Sequence, residues 1–207
     1  RGASVTPRDS GTHDRTAIPS ELRALDQWVV WRNDVRDGKP TKVPYVPGTK
    51  RRAKADDPKT WRSYAEAQLA VVRDGYAGTG FEITEPYVGI DLDACRDPRT
   101  GTIAPWAWAI VTLLDSYTEV TPSGAGLHIW VRGAWAGTWN NRRAKSNGTE
   151  KSAAVEVYGR GKYFTMTGDH LIATSATIHD RQDALDQLAV MAVEFGQSEP
   201  VPPSLKS

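Results

Sequence analysis

Apolar residues along the chain change period several times, and each change marks an element. Leu22, Leu25 and Trp28 recur at helical spacing behind Ile18-Pro19-Ser20-Glu21, and Trp28-Val29-Val30-Trp31 then turns strand-like. Asn33 to Pro47 mixes Lys and Val with Gly and Pro, the composition of a hairpin or extended loop. Asp57-Pro58-Lys59-Thr60-Trp61 predicts a helix start, and Tyr64, Ala67, Gln68, Val71 and Val72 continue it as an amphipathic stretch ending at Gly75. Short strands follow at Gly80 to Ile83, Tyr87 to Leu92, Leu127 to Arg132, Val155 to Tyr158 and Tyr163 to Thr167. Helices are expected at Ala104 to Tyr117 and Arg181 to Phe195. Strands interleaved with few helices predict an α+β domain with helices packed on one sheet face.

Residues 1–17 lack periodicity and read as a flexible leader. Residues 197–207, rich in Pro and Ser, read as a linker or tail, which leaves 18–196 as the folded domain. With 39% hydrophobic and 25% charged residues, the 207-residue chain falls in the globular class. Its longest apolar run, around Trp106 to Leu114, is about half of a bilayer span, so no membrane partner is expected. The single cysteine, Cys95, and the lack of a secretory leader predict a reducing, cytoplasmic setting.

A net charge of +1 hides an uneven distribution. Ten Lys or Arg lie between Arg32 and Arg62 against four Asp, and six lie between 140 and 162 against Glu150 and Glu156. Beyond Asp169 the sign reverses. Two basic stretches in a nearly neutral chain suit a polyanion, and Lys50-Arg51-Arg52 and Arg142-Arg143 are the candidate contacts to a nucleic-acid backbone. Trp135 and Trp139 could stack unpaired bases or pack in the core.

The chemistry concentrates in three segments. In Gly89-Ile90-Asp91-Leu92-Asp93 the alternation of a strand sends Ile90 and Leu92 to the core and Asp91 and Asp93 together to the other face. Two adjacent carboxylates repel unless a cation neutralises them, whereas the plain structural reading is a solvated edge. Val155-Glu156-Val157-Tyr158 repeats the pattern and offers a third carboxylate, so Asp91, Asp93 and Glu156 could hold Mg²⁺ or Mn²⁺. Thr121-Pro122-Ser123-Gly124-Ala125-Gly126-Leu127-His128 joins a Gly-rich turn, whose amides could approach an anion, to a strand that projects His128 outward. Gly159-Arg160-Gly161-Lys162 reads as a hairpin returning Arg160 and Lys162 toward the carboxylates, as candidate phosphate ligands or as a solvated turn.

Order and spacing of these segments resemble the archaeo-eukaryotic primase superfamily, in particular the bifunctional primase-polymerase domains of phage and plasmid replication proteins. The match runs from about Gln27 to Gly168. It includes Trp28-x-x-Trp31, Lys39-Pro40-x-Lys42-x-Pro44, Asp57-Pro58-x-Thr60-Trp61, Gly80-Phe81, the Asp91/Asp93 strand, Tyr117-Thr118-Glu119 leading into the Ser123-to-His128 turn, and Glu156-Val157-Tyr158 followed by Tyr163-Phe164-Thr165. The resemblance implies an RRM-like catalytic sheet with an N-terminal α/β lobe, and template-dependent nucleotidyl transfer from dNTPs or NTPs on single-stranded or primed DNA. It also implies an associated helicase. By the same resemblance Asp91, Asp93 and Glu156 are metal ligands, His128 is catalytic, and Ser123, Gly124, Gly126, His128, Arg160 and Lys162 form the nucleotide site. Where similar proteins show Arg, this chain has Lys162, a point charge without bidentate geometry, and Arg160 could substitute.

Two rivals use the same residues. A metal-dependent nuclease could employ these carboxylates, although Tyr158 stands where a common nuclease pattern wants Lys. A non-catalytic single-strand-binding module on an RRM-like sheet would carry aromatics on the central strands where this chain carries acids.

Overall fold

The computed structural model describes residues 17–36, 38–135, 142–143 and 153–195. The leader through residue 16, the Pro-rich tail and Trp139 lie outside the described residues.

In chain order the elements are α1 (Ser20–Arg23), β1 (Trp28–Arg36), β2 (Lys39–Tyr45), a 3-10 turn (Pro58–Thr60), α2 (Tyr64–Asp74), β3 (Gly78–Glu82), β4 (Tyr87–Asp93), α3 (Pro105–Leu114), β5 (Thr118–Val120), β6 (Leu127–Arg132), β7 (Arg142–Arg143), β8 (Ala154–Tyr158), β9 (Tyr163–Met166), β10 (His179–Asp180) and α4 (Gln182–Phe195). The class is α+β, as the alternation predicts. Two boundaries differ from the sequence reading for local reasons. Asp57 caps only the 3-10 turn, and α2 begins after Ser63, whose hydroxyl accepts from the Glu66 amide while the Glu66 carboxylate accepts from the Ser63 amide. The first helix is a single turn, because the chain leaves it at Ala24 to become β1.

The described residues form two sheets. One has the order β2-β1-β3-β9, antiparallel throughout; the other runs β10-β6-β4-β8-β7, with β5 also paired to β6. Helices α3 and α4 cover one face of the larger sheet. There Ile90, Leu92, Ile129, Val155 and Val157 pack with Ile110, Leu114, Leu185 and Leu188. This face follows from the period-2 pattern of β4, β6 and β8. On the opposite face the smaller sheet closes down through Phe164, whose ring meets Trp130 and Tyr158 edge-on. Gly89 permits this approach: a Cβ there would lie 2.7 Å from the Phe164 ring and 2.8 Å from Ile83. Arg132 on β6 pairs with Glu21 of α1 and Asp180 of β10, tying the N-terminal turn to the larger sheet.

The hairpin expected at 159–162 does not form. Strand β8 belongs to the larger sheet and β9 to the smaller, where it pairs with β3, so Gly159 to Lys162 is a crossing between sheets. The reason is nonlocal: β9 finds its partner more than eighty residues upstream. Among the described residues, no helix is long and apolar enough to cross a membrane.

Candidate functional site

The antiparallel register of the larger sheet sets Asp91 opposite His128 on one side and Glu156 on the other, and sets His128 opposite Glu119. Directly paired residues point to the same face. Four adjacent strands, β5, β6, β4 and β8, therefore carry a row reading Glu119, His128, Asp91, Glu156. Asp93 lies one step along β4 on that face, exposed to solvent. The common face of Asp91, Asp93 and Glu156 expected from the alternation is present in the register.

Environment differentiates these acids. The Asp91 side chain is 19% exposed, and its Oδ1 is buried without a hydrogen-bond partner. Burial pushes its carboxyl up to about 6; Asp93 and Glu156 push the same way, opposed by His128 and Lys162. Glu156 is held by the Tyr158 hydroxyl, which donates to its Oε2 at 2.6 Å.

His128 is fixed on three sides. Its ring stacks on Phe164 with centroids 4.4 Å apart. Its Nδ1 lies 3.1 Å from the Thr165 carbonyl oxygen; since a carbonyl only accepts, Nδ1 carries the hydrogen. That leaves Nε2 directed toward Asp91, 3.7 Å from Oδ1. Behind the ring, Glu119 is fully buried with Oε1 3.6 Å from Nδ1. Its carboxylate accepts from the amides of Thr167 and Gly168 and from the Tyr117 hydroxyl. Sequence reasoning quoted Glu119 but gave it no role, because the pairing of β5 with β6 that brings it to His128 leaves no local signal.

The turn before β6 behaves differently from the anion nest expected of it. The Gly124 amide donates to the Thr121 carbonyl and the Ala125 amide to Ser123 Oγ, so both are used within the turn. Gly124 is needed for its φ of 72°. Gly126 is needed for space, since a Cβ would lie 2.8 Å from the Leu92 carbonyl oxygen. Ser123 remains exposed, and Arg96 holds the turn from β4's side through the Gly124 carbonyl at 2.8 Å.

A cleft of about 160 Å³ opens between the sheets, lined by Asp91 and His128 of the larger sheet, by Lys42, Tyr163, Phe164 and Thr165 of the smaller, and by Lys162 of the crossing. Lys162 reaches it with its ammonium 4.8 Å from the Tyr158 ring centroid, whereas Arg160 is exposed on the crossing and does not line it. A larger cavity, about 560 Å³, is bounded by Trp31, Gln68, Gly78, Thr79, Met166 and Asp169 and by Ser123 and Gly124 of the turn. Lys50, Arg51 and Arg52 are exposed beyond β2 and line neither cavity; the side chains of Arg142 and Arg143 lie outside the described residues.

Oxygen donors are what hard divalent cations take, and a buried carboxylate oxygen without a hydrogen bond is where a cation would supply the missing partner. Asp91 with Asp93 and Glu156 on one face fits such an ion in donor type and charge. Among the described residues no three His, Cys, Asp or Glu side chains are already gathered to hold one.

A DNA primase-polymerase of Nitratiruptor phage NrS-1 is 38% identical to the chain over 157 residues, 73% of this chain and 21% of that protein. The chain thus spans about a fifth of the length of the curated relative it matches. No family model matches it.

Proposed function

Since the chain belongs to the primase-polymerase domain family, we propose that it is a template-dependent nucleotidyltransferase, extending or initiating DNA strands from nucleoside triphosphates. The observation that carries this reading is the row across the larger sheet, in which Asp91 stands in register with both His128 and Glu156. The strand order β5-β6-β4-β8, with α3 joining β4 to β5, supports an RRM-like reading of that sheet.

Asp91, Asp93 and Glu156 would hold two Mg²⁺ or Mn²⁺ ions, which when bound neutralise phosphate charge and lower the pKa of the attacking 3′-hydroxyl. The chain's own groups do the rest. His128, with Nδ1 donating to the Thr165 carbonyl, turns Nε2 toward the cleft, where as imidazolium it would donate to the phosphates, and Lys162 adds a positive charge on the same cleft. Ser123 lines the larger cavity, whose Trp31 wall, with Gln68, Thr79 and Asp169, offers an aromatic face and polar groups to a base and sugar. The exposed run Lys50-Arg51-Arg52, with Arg142 and Arg143, would follow template backbone.

Primer extension tests the reading: primed template, dNTPs and Mg²⁺ or Mn²⁺, with Asp91→Asn/Asp93→Asn beside wild type. Extension by wild type and none by the folded double variant is expected. Shortening of the template would establish a nuclease instead, and binding without turnover a non-catalytic module.

A further inference from the structure

The sequence motif Lys39-Pro40-x-Lys42-x-Pro44 has no role in the chemistry so far, yet the fold delivers one of its side chains to the cleft. Strand β2 is the outer strand of the smaller sheet, where prolines at 40 and 44 are tolerated because an edge strand can lack amide donors. Between them Lys42 pairs in register with Asn33 and lies on the same face as Trp31. Its ammonium sits 5.5 Å from the Trp31 ring centroid. Its backbone carbonyl accepts from the Tyr163 hydroxyl at 2.8 Å, which ties β2 to the start of β9 beside Lys162.

Lys42 lines the same cleft as Asp91, His128 and Lys162. Among the described residues it has no carboxylate within 4 Å, although the charges of Asp91 and Asp93 reach it. Lys42 is exposed as a residue, yet its ammonium lies over the Trp31 ring and faces acids it does not touch, with burial drawing its pKa down and those two aspartates drawing it up. An ammonium held open in this way is arranged for an anion that enters between it and the acids.

Resting on the nucleotidyltransferase reading, we infer that Lys42 is a nucleotide ligand supplied by the smaller sheet, gripping the polyphosphate together with Lys162. The cleft then has two cations in its lining, Lys42 from β2 and Lys162 from the inter-sheet crossing, beside His128. Nucleotide phosphates bound there would draw the two sheets together. Template phosphates offer the same chemistry, but Lys42 shares its cleft with Asp91 and His128, whereas the exposed Lys50-Arg51-Arg52 run does not.

The test compares Lys42→Met, which keeps the stem against Trp31 and removes the charge, with Lys42→Arg. Binding of dATP and of dAMP is measured by calorimetry with Mn²⁺, alongside template affinity and extension kinetics; far-UV circular dichroism checks folding, with Lys42→Gln as a second neutral variant. For the neutral variants, dATP affinity is expected to fall about 10- to 100-fold, with dAMP and template affinity within about twofold of wild type. Lys42→Arg is expected to recover most of the loss. Unchanged dATP affinity, or a loss confined to template, overturns the inference. A wild type that binds dATP through Lys42 but extends no primer defeats the nucleotidyltransferase reading and leaves this site standing.

Discussion

Asp91 and His128 face each other across β4 and β6, with imidazole Nε2 3.7 Å from the carboxylate's Oδ1, too far for a hydrogen bond between them. The acid is left buried, unpaired at one oxygen and reluctant to ionise. A group kept at this cost in an otherwise well-packed sheet marks the place where stability and chemistry oppose each other. Asp91→Asn removes the charge and keeps the shape. Nucleotide incorporation is expected to drop at least ~10³-fold, while stability at pH 7.5 rises by roughly 1–3 kcal/mol. Primer extension and urea denaturation of the same preparation read both; a variant that is less stable and still active contradicts the assignment.

Glu119 holds the other side of His128 from a fully buried position. In Glu119→Gln one oxygen becomes an NH₂ that meets the Thr167 amide in either orientation, and the Gly168 amide as well in one of them, donor against donor. A loss of about 1–3 kcal/mol is expected, with a melting temperature several degrees lower. Assayed below the melting transition of both proteins, the variant is also expected to show a lower kcat, because His128 loses the negative charge 3.6 Å from its Nδ1. Melting and kinetics at a single low temperature separate the two effects.

Gly89 is required by the approach of the smaller sheet. A methyl group there must displace Phe164, the ring on which His128 stacks. Gly89→Ala is expected to destabilise the fold by about 1–3 kcal/mol and to reduce incorporation in the fraction that remains folded. Equilibrium denaturation with parallel extension assays checks this.

Glu82 on β3 is fully buried, and neither carboxylate oxygen has a hydrogen-bond partner. Burial, reinforced by the charge of Asp56, pushes its pKa to about 7 from the ordinary 4.5. The folded state therefore binds this proton more tightly than the unfolded chain does. This group's contribution to stability falls as pH rises from about 4.5 to about 7 and is level above that, a change of about 3 kcal/mol. Glu82→Gln is expected to abolish that slope and to be the more stable protein at pH 8. Denaturation midpoints at pH 5.5 and pH 8 for both proteins decide it.

Period-2 patterning made the chemical face of β4, β6 and β8 legible, since Ile90, Leu92, Ile129, Val155 and Val157 each claim the core and leave Asp91, His128 and Glu156 no other side. Helices α3 and α4 were legible for the same local reason, their boundaries moving by a few residues. What the sequence did not show depends on pairings between distant strands. The split into two sheets, the crossing of residues 159–162 between them, Glu119 behind His128 and Lys42 across the cleft all arise from β9 joining β3 and β5 joining β6. The turn at Ser123 to Gly126 was recognisable by composition, but the use of its amides within the turn was not.

Anomalous diffraction from crystals of the protein grown with a nonhydrolysable dNTP analogue and Mn²⁺ bears on the metal-supported nucleotide site most directly. A manganese peak bounded by Asp91, Asp93 and Glu156, with the analogue's phosphates reaching His128, is the expected result. Nucleotide bound in the cleft with no manganese near those three carboxylates would contradict it.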